Sequence, residues 1–173
     1  MNLKEFIREV PDFPKQGILF RDITTMLKSP EALQFSIDAM LDAVSDVEFD
    51  TILGPESRGF IFGMPMAYSL GKSFVPVRKA GKLPAEVGKK IYDLEYGSAT
   101  IEIHKDAVKN GQKFLLVDDL LATGGTAKAV CDLIKEMGGT VVAHAYLIEL
   151  SGLGGNQLLK GHDIRSILKY TKN

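Results

Sequence analysis

The chain has 173 residues, of which 45% are hydrophobic and 25% charged, and this predicts one domain, residues 1–173, with a sizeable core. A formal net charge of −1 argues against nucleic acid or an acidic membrane surface as a partner, so local groups must bind any anion. A single cysteine, three histidines far apart in the sequence, and no signal peptide or apolar run of membrane-spanning length favour a cytoplasmic protein without a His/Cys metal cluster.

The N-terminal segment, about residues 1–30, is predicted to be an extension of the main domain. Apolar residues at helical spacing from Leu3 to Val10 predict a short helix that Pro11 ends. Two prolines and a glycine then predict an irregular loop over residues 11–24, which carries Phe20.

Strands alternate with helices through the rest of the chain. A capped amphipathic pattern predicts a helix from Ser29 to about Val47. Strand, turn and helix patterns follow over residues 49–71 and 113–139, and further strands start residues 72–80 and fill residues 140–150. This order predicts an α/β fold with a mostly parallel, twisted sheet flanked by helices, and a ligand site beyond the carboxyl ends of the strands.

One segment, about residues 79–103, departs from this alternation. It begins with a basic stretch rich in glycine and proline and continues as two strands with the residues "EYGS" between them. A hairpin in this position is predicted to form a lid over the strand ends.

The segment "VDDLLATGGT", residues 117–126, combines two acids with a loop suited to a phosphate. Exposed amides at a helix start favour an anion, Gly124 and Gly125 let the backbone close around it, and Thr123 and Thr126 add hydroxyl donors. An ordinary turn with Thr126 as helix cap would explain the loop but not the paired Asp118 and Asp119.

These residues resemble the signature by which the type I phosphoribosyltransferases bind their sugar-phosphate donor. The amino-acid sequence of the segment is most similar to that of the members that act on adenine. Four further segments resemble the family's motifs in order, so that the resemblance covers nearly the whole chain. They are "PDFPKQGILFRDIT" (residues 11–24), "GPESRGFIFG" (54–63), "VRKAGKLP" (77–84) and "LEYG" (94–97).

The resemblance implies the roles of the residues around the donor, 5-phosphoribosyl-1-pyrophosphate. Asp118 and Asp119 would accept hydrogen bonds from the ribose 2′ and 3′ hydroxyls. The sequence predicts that the chain leaves its strand at these two residues, so their side chains need not point to opposite faces. The 5′-phosphate would be bound by Ala122, Thr123, Gly124, Gly125 and Thr126. The pyrophosphate would be bound by Glu56, Ser57, Arg58, Arg78, Lys79 and Lys82. By themselves, Arg58 and the cations near residue 80 (Arg78, Lys79 and Lys82) are more typical of a solvated surface than of a binding site.

Catalysis is implied for Glu95 and Tyr96, together with Arg58. In the family, a carboxylate at the lid tip takes the proton that the base loses and stabilises positive charge on the ribose. Without the resemblance, Glu95 would be an exposed acid in a hairpin turn.

The base site is implied near the N-terminal extension. Phe20 and Leu150 would hold adenine between them, and backbone groups of Leu19 and Arg21 would bind its amino edge, although most phenylalanines are simply core residues. The family further implies Mg²⁺, AMP and pyrophosphate as products, and a homodimer in which the cations near residue 80 reach across the interface. The alternatives are a transferase for xanthine or hypoxanthine, or a non-catalytic regulator that binds nucleic acid, for which the chain lacks a DNA-binding module.

Overall fold

The computed structural model describes residues 1–94 and 97–171, which contain nine strands and five α-helices. The strands are β1 (Arg8–Pro11), β2 (Leu19–Asp22), β3 (Thr51–Pro55), β4 (Ser73–Lys79), β5 (Val87–Leu94), β6 (Gly97–His104), β7 (Lys113–Leu121), β8 (Thr140–Leu150) and β9 (Ile164–Tyr170). The helices are α1 (Thr24–Leu27), α2 (Pro30–Ala43), α3 (Arg58–Leu70), α4 (Gly125–Glu136) and α5 (Gly155–Leu158). Short 3-10 helices cover Leu3–Phe6, Lys105–Ala107 and Ser151–Leu153.

A seven-stranded sheet in the order β5-β6-β4-β3-β7-β8-β9 forms the centre of the described chain. Strands β4, β3, β7, β8 and β9 are parallel, whereas β6 pairs antiparallel with β4 and β5. The central strands are apolar runs because helices cover both faces, and all five residues of β3 are buried. One core layer packs α2 and α3 on the sheet and the other packs α4 on it. The predicted α/β fold is therefore confirmed.

The N-terminal prediction was partly wrong. The 3-10 helix Leu3–Phe6 is followed at once by β1, which pairs antiparallel with β2, so that Val10 lies opposite Phe20. The prolines do not prevent this pairing because the intervening turn is tied by its own hydrogen bonds. The Gly17 amide donates to Asp12 Oδ1 at 2.7 Å, and the Phe13 amide donates to the Ile18 carbonyl at 3.2 Å. Local spacing indicated a helix, but cross-strand pairing decides the conformation.

Two other details differ from the sequence patterns. Helix α2 ends at Ala43, four residues before the expected boundary at Val47, and β9 adds a parallel edge strand that the patterns had not indicated. The predicted hairpin is present as β5 and β6, and its first strand lies against α4. There Lys90 pairs with Glu136, and Gly88 leaves room for the Met137 side chain. No helix within the described residues is long and apolar enough to cross a membrane.

Candidate functional site

A cavity of about 560 Å³ opens at the carboxyl ends of β3, β4 and β7, where α3 and α4 begin. This is the edge at which parallel α/β sheets bind ligands. Its lining residues are Pro55, Glu56, Ser57, Arg58, Lys79, Leu116, Asp118, Asp119, Leu120, Leu121, Ala122, Thr123, Gly124, Gly125, Thr126, Ala127 and Tyr146.

Asp118 and Asp119 both line this cavity, although the reason differs from the expected one. Strand β7 continues to Leu121, because β8 pairs with it that far, so the two acids lie within the strand and not beyond its end. Asp119 is 3% exposed and Asp118 is partly buried. The Asp119 amide donates to Asp118 Oδ1 at 2.9 Å. Two carboxyls thus share one small space.

This acid pair is electrostatically costly when no ligand is bound. Burial, and then the neighbouring Asp119 charge, raise the pKa of Asp118 well above its ordinary value. Burial also raises the pKa of Asp119, against the opposing effect of the Arg58 charge. Arg58 Nε lies 2.9 Å from Asp119 Oδ2. Hydroxyl donors from a ligand would relieve this cost, since each carboxylate oxygen accepts hydrogen bonds.

The loop after β7 turns the chain sharply into α4. Gly124 has φ of 82°, a left-handed conformation that favours glycine, and α4 begins at Gly125. The loop also packs on the turn that starts α5, where a Cβ on Gly155 would lie 2.3 Å from the Ala122 carbonyl oxygen. Both glycines are therefore required, and the loop holds the first amides of α4 toward the cavity, as an anion site needs.

The opposite wall of the cavity is formed by residues 56–58 and the end of β4. The peptide bond between Glu56 and Ser57 is cis, and Arg58 is the first residue of α3. Arg78 donates through Nε to Glu56 Oε2. Burial raises the pKa of the Glu56 carboxyl, but the bonds from Arg78 and from the Lys79 backbone outweigh it and hold that pKa below its usual range.

The four candidate cations of the pyrophosphate site, Arg58, Arg78, Lys79 and Lys82, are not equivalent. Lys79 lines the cavity, whereas Arg78 turns to Glu56 and Lys82 is exposed outside the lining residues. In this structure Lys79 and Arg58 are therefore the side-chain cations that an anion in the cavity would meet first.

A second, apolar cavity of about 390 Å³ lies beside the first and contains Phe20. It is lined by Val10, Phe13, Phe20, Asp22, Ile23, Thr24 and Arg58. The rings of Phe13 and Phe20 meet edge to face at 5.2 Å, and Arg58 stands 5.9 Å above the Phe20 ring. Arg58 thus lines both cavities.

The other candidate base-site residues, Leu19, Arg21 and Leu150, do not line this apolar cavity. Arg21 is buried, pairs with Glu9 and stacks on Tyr170 at 4.3 Å, so its side chain is already engaged. Leu19 is the first residue of β2, and Leu150 is the last residue of β8.

The hairpin of β5 and β6 lies close to the loop of residues 122–126, where α4 begins. The Tyr92 hydroxyl is 3.1 Å from Thr126 Oγ1, and a Cβ on Gly125 would lie 3.9 Å from the Asp93 carbonyl oxygen. Glu95 and Tyr96, the candidate catalytic residues, lie outside the described residues.

Two features of the site were missed from the sequence. Tyr146 lines the larger cavity and is paired in register with Asp118 across β7 and β8. Its hydroxyl is 3.1 Å from His144 Nδ1, in a cluster that also contains Cys131 and His162. Burial raises the pKa of the Cys131 thiol to about 12, and burial, with His162, lowers that of His144 to about 4. The sequence offered one indication of this contact: positions 144 and 146 are two apart in a predicted strand, so their side chains lie on the same face of the sheet.

Comparison with known proteins agrees with this geometry. A family model described as the phosphoribosyl transferase domain matches residues 23–167. The adenine phosphoribosyltransferase of Lachnoclostridium phytofermentans is 55% identical over 168 residues, covering 97% of each chain. The crystal structure of adenine phosphoribosyltransferase from Thermoanaerobacter pseudethanolicus has a TM-score of 0.94 at 52% identity, covering 97% of this chain and 98% of that one. That from Saccharomyces cerevisiae, complexed with an imino-altritol bisphosphate and adenine, has a TM-score of 0.89 at 40% identity, covering 96% of each.

Proposed function

The chain belongs to the phosphoribosyltransferase family, and we propose that it is an adenine phosphoribosyltransferase, a pentosyltransferase of purine salvage. It joins adenine to 5-phosphoribosyl-1-pyrophosphate and releases AMP and pyrophosphate. The observation that carries this proposal is the position of Arg58, which lines both the acidic donor cavity and the apolar cavity around Phe20. A flat base on Phe20 would then lie beside a ribose held at Asp118 and Asp119.

The donor fits the larger cavity by charge and by hydrogen bonding. Asp118 and Asp119 accept the vicinal ribose hydroxyls, and the amides of residues 122–126 bind the 5′-phosphate at the start of α4. The pyrophosphate leaves toward residues 56–58 and Lys79. Arg78 and Lys82 complete this basic wall when the donor is bound.

The reaction is a displacement at C1 of the ribose. A ring nitrogen of adenine attacks C1, the bond from C1 to the pyrophosphate oxygen breaks, and the base loses a proton. We assign that proton to Glu95, with Tyr96 as a second catalytic residue, because a carboxylate near the base and C1 would serve both the proton and the growing charge on the ribose. Closing the lid excludes water, which would otherwise hydrolyse the donor.

Magnesium fits the chemistry of this site. The acid pair offers hard oxygen atoms beside the expected diphosphate, and Mg²⁺ prefers oxygen ligands while it keeps several waters. Asp118 and Asp119 would hold it through water and the ribose hydroxyls, with few direct protein ligands. When bound, the ion supplies charge neutralisation at the diphosphate.

Adenine is bound through shape and backbone groups. Phe20 and Leu150 enclose the ring, and the Leu19 and Arg21 backbone contacts the amino edge, since the Arg21 side chain is engaged with Glu9 and Tyr170. The cavity around Phe20 is lined mainly by apolar side chains, which suits an uncharged purine.

A homodimer is part of this proposal. Helix α3, which begins at Arg58, exposes Met64 (50%), Tyr68 (89%) and Leu70 (40%), a set of apolar side chains that a second copy would bury. Sedimentation equilibrium of the wild type and of Tyr68→Glu tests it, with loss of the dimer expected in the variant.

We place the reaction in the cytoplasm, in agreement with the free, buried Cys131.

The direct test is a competition between bases. The protein is incubated with 5-phosphoribosyl-1-pyrophosphate, magnesium and equal amounts of adenine, hypoxanthine, guanine and xanthine, and the nucleotides are identified by chromatography and mass spectrometry. We expect AMP with an equal amount of pyrophosphate, and much less AMP from Asp118→Asn under the same conditions. IMP or XMP as the main product would reassign the base, and donor binding without any nucleotide would indicate a non-catalytic regulator.

A further inference from the structure

A cluster of Cys131, His144 and His162 lies behind the donor cavity and takes no part in the proposed reaction. Its residues come from three different elements: α4 supplies Cys131, β8 supplies His144, and the turn before β9 supplies His162. Cys131 and His144 are buried, whereas His162 is partly exposed. Three residues with soft or borderline ligand atoms thus converge at one point.

The separations of the ligand atoms match a tetrahedral metal site. Cys131 Sγ lies 3.6 Å from His144 Nε2 and 3.9 Å from His162 Nδ1, and the two nitrogens are 3.2 Å apart. A tetrahedral ion with a sulfur bond of about 2.3 Å and nitrogen bonds of about 2.0–2.1 Å requires about 3.6 Å between sulfur and nitrogen and about 3.3 Å between nitrogens. The three atoms can therefore bind one ion with small adjustments.

The outer hydrogen bond also suits a metal ligand. His144 turns Nε2 toward the cluster while its Nδ1 lies 3.1 Å from the Tyr146 hydroxyl. Metal-bound histidines usually engage the second ring nitrogen in this way, which fixes the tautomer. Tyr146 in turn lines the donor cavity, so the cluster contacts the wall of that cavity through one side chain.

The cluster is accessible from outside. A separate cavity of about 380 Å³ reaches Cys131 and His162, with Lys128, Asp132 and Lys135 at its rim. Lys128 pairs with Asp132, so this carboxylate is already neutralised and does not attract a cation strongly. The two lysines at the rim, Lys128 and Lys135, do not attract one either, because they are positively charged. The affinity must come from the three ligand atoms, and a water that enters through this cavity could supply the fourth ligand.

We propose that Cys131, His144 and His162 bind one Zn²⁺-class transition-metal ion, with water as the fourth ligand. As the sulfur–metal bond forms, the Cys131 thiol releases its proton to solvent, and no electron is transferred. Two neutral imidazoles and a thiolate favour Zn²⁺ or Co²⁺ over Mg²⁺, which requires oxygen ligands. The ion stabilises the fold because it binds the folded chain, in which the three elements have already converged.

The test is a Co²⁺ titration of tag-free, chelator-treated protein, followed by absorbance. We expect one equivalent of Co²⁺ to produce the thiolate charge-transfer band and the intense visible bands of a four-coordinate site. Zn²⁺ should abolish these bands and raise the melting temperature, whereas Mg²⁺ should do neither. This result does not depend on AMP formation, so it stands or fails separately from the proposed reaction.

Variants assign the site to the three residues. Cys131→Ser should lose the charge-transfer band, and His162→Gln, at a partly exposed position, should lose tetrahedral binding while it stays folded by circular dichroism. Tyr146→Phe should weaken Co²⁺ binding about 10–100-fold. His104→Gln, on β6 and outside the cluster, is the matched control and should bind as the wild type does. The proposal is overturned if the wild type gives no band, or if the band survives in both Cys131→Ser and His162→Gln; the cluster would then be a hydrogen-bonded group only.

Discussion

Arg58 Nε lies 2.9 Å from Asp119 Oδ2, so the cation at the start of α3 partly neutralises the acid pair in β7. Its side chain is nevertheless 44% exposed, which leaves it accessible to a ligand in either cavity. An arginine in this position lowers the cost of burying Asp119. In the proposed reaction it would also offer donors to the leaving pyrophosphate. Both roles depend on the charge and fork of the guanidinium group.

Replacement of Arg58 by methionine should therefore lower kcat/KM for the donor by about 10²–10³-fold, the usual cost of losing one donor to developing charge. Initial rates of AMP formation at varied donor concentration measure this. Lys109→Met removes an exposed cation near the opposite, amino end of β7 and should leave kcat/KM unchanged. Equal rates for the two variants would show that Arg58 is only a surface residue.

Asp118→Asn should separate stability from activity. The pKa of Asp118 is raised by burial and by Asp119, so ionisation of this carboxyl costs free energy in the folded chain. The protonated form of this carboxyl is favoured by folding, because its pKa is higher in the folded chain than in the unfolded one. Its contribution to the free energy of unfolding is complete below the ordinary aspartate pKa and is lost as the pH rises through the folded-state pKa. At neutral pH the asparagine removes this cost while it retains an acceptor for the Asp119 amide.

We expect a higher melting temperature for Asp118→Asn near neutral pH, by about 2–4 °C for each kcal/mol gained, and a much lower rate of AMP formation. The gain should shrink as pH falls from about 7.5 to about 4, as the wild-type carboxyl becomes protonated. Asp38→Asn, at an exposed position on α2, should show neither effect. A constant difference in melting temperature across the pH range would contradict the assignment.

Gly59, in the first turn of α3, lies close to β7 beside Asp118. A Cβ there would lie 2.9 Å from the Val117 carbonyl oxygen and 3.1 Å from Asp118 Oδ1. Gly59→Ala should therefore push the two elements apart, reduce the free energy of unfolding by about 1–3 kcal/mol and raise KM for the donor. Urea unfolding and steady-state kinetics measure the two effects.

Gly63→Ala, in the same helix, distinguishes stability from site geometry. Its Cβ would meet the Phe74 ring at 2.7 Å and not the acid pair. This variant should lose stability with KM for the donor unchanged. If both alanine variants changed KM equally, the contact with Asp118 would not be the cause.

The sequence predicted the parts of the fold that local patterns determine. Buried parallel strands are contiguous apolar runs, and the helix at Ser29 carries its own cap, so these elements were recognisable without their neighbours. The phosphate loop was recognisable for the same reason, because its glycines and threonines are adjacent in the chain. Most of the residues that the family resemblance assigned to the donor line one cavity.

Long-range pairing determines the rest. Strand β7 extends past the acid pair because Leu121 pairs with Glu149, and residues 8–11 form a strand because β2 lies opposite. In the cluster at Cys131, His144 follows Cys131 by 13 positions and His162 follows His144 by 18 positions. These spacings match no local metal-binding motif. No periodicity within one segment can indicate a contact that the sheet topology creates.

Tyr92 connects the lid to the phosphate loop through its hydroxyl, 3.1 Å from Thr126 Oγ1. Tyr92→Phe keeps the ring in place on α4 and removes this one bond, whose net contribution is about 0.5–1.5 kcal/mol. We therefore expect kcat/KM for the donor to fall by about threefold to tenfold with the melting temperature nearly unchanged, because the bond helps to hold the lid over the 5′-phosphate loop. Ser45→Ala, which removes one exposed hydroxyl hydrogen bond to the Asp42 carbonyl after α2, is the control. Identical kinetics for the two variants would mean that the lid is held by other contacts, such as Lys90 with Glu136.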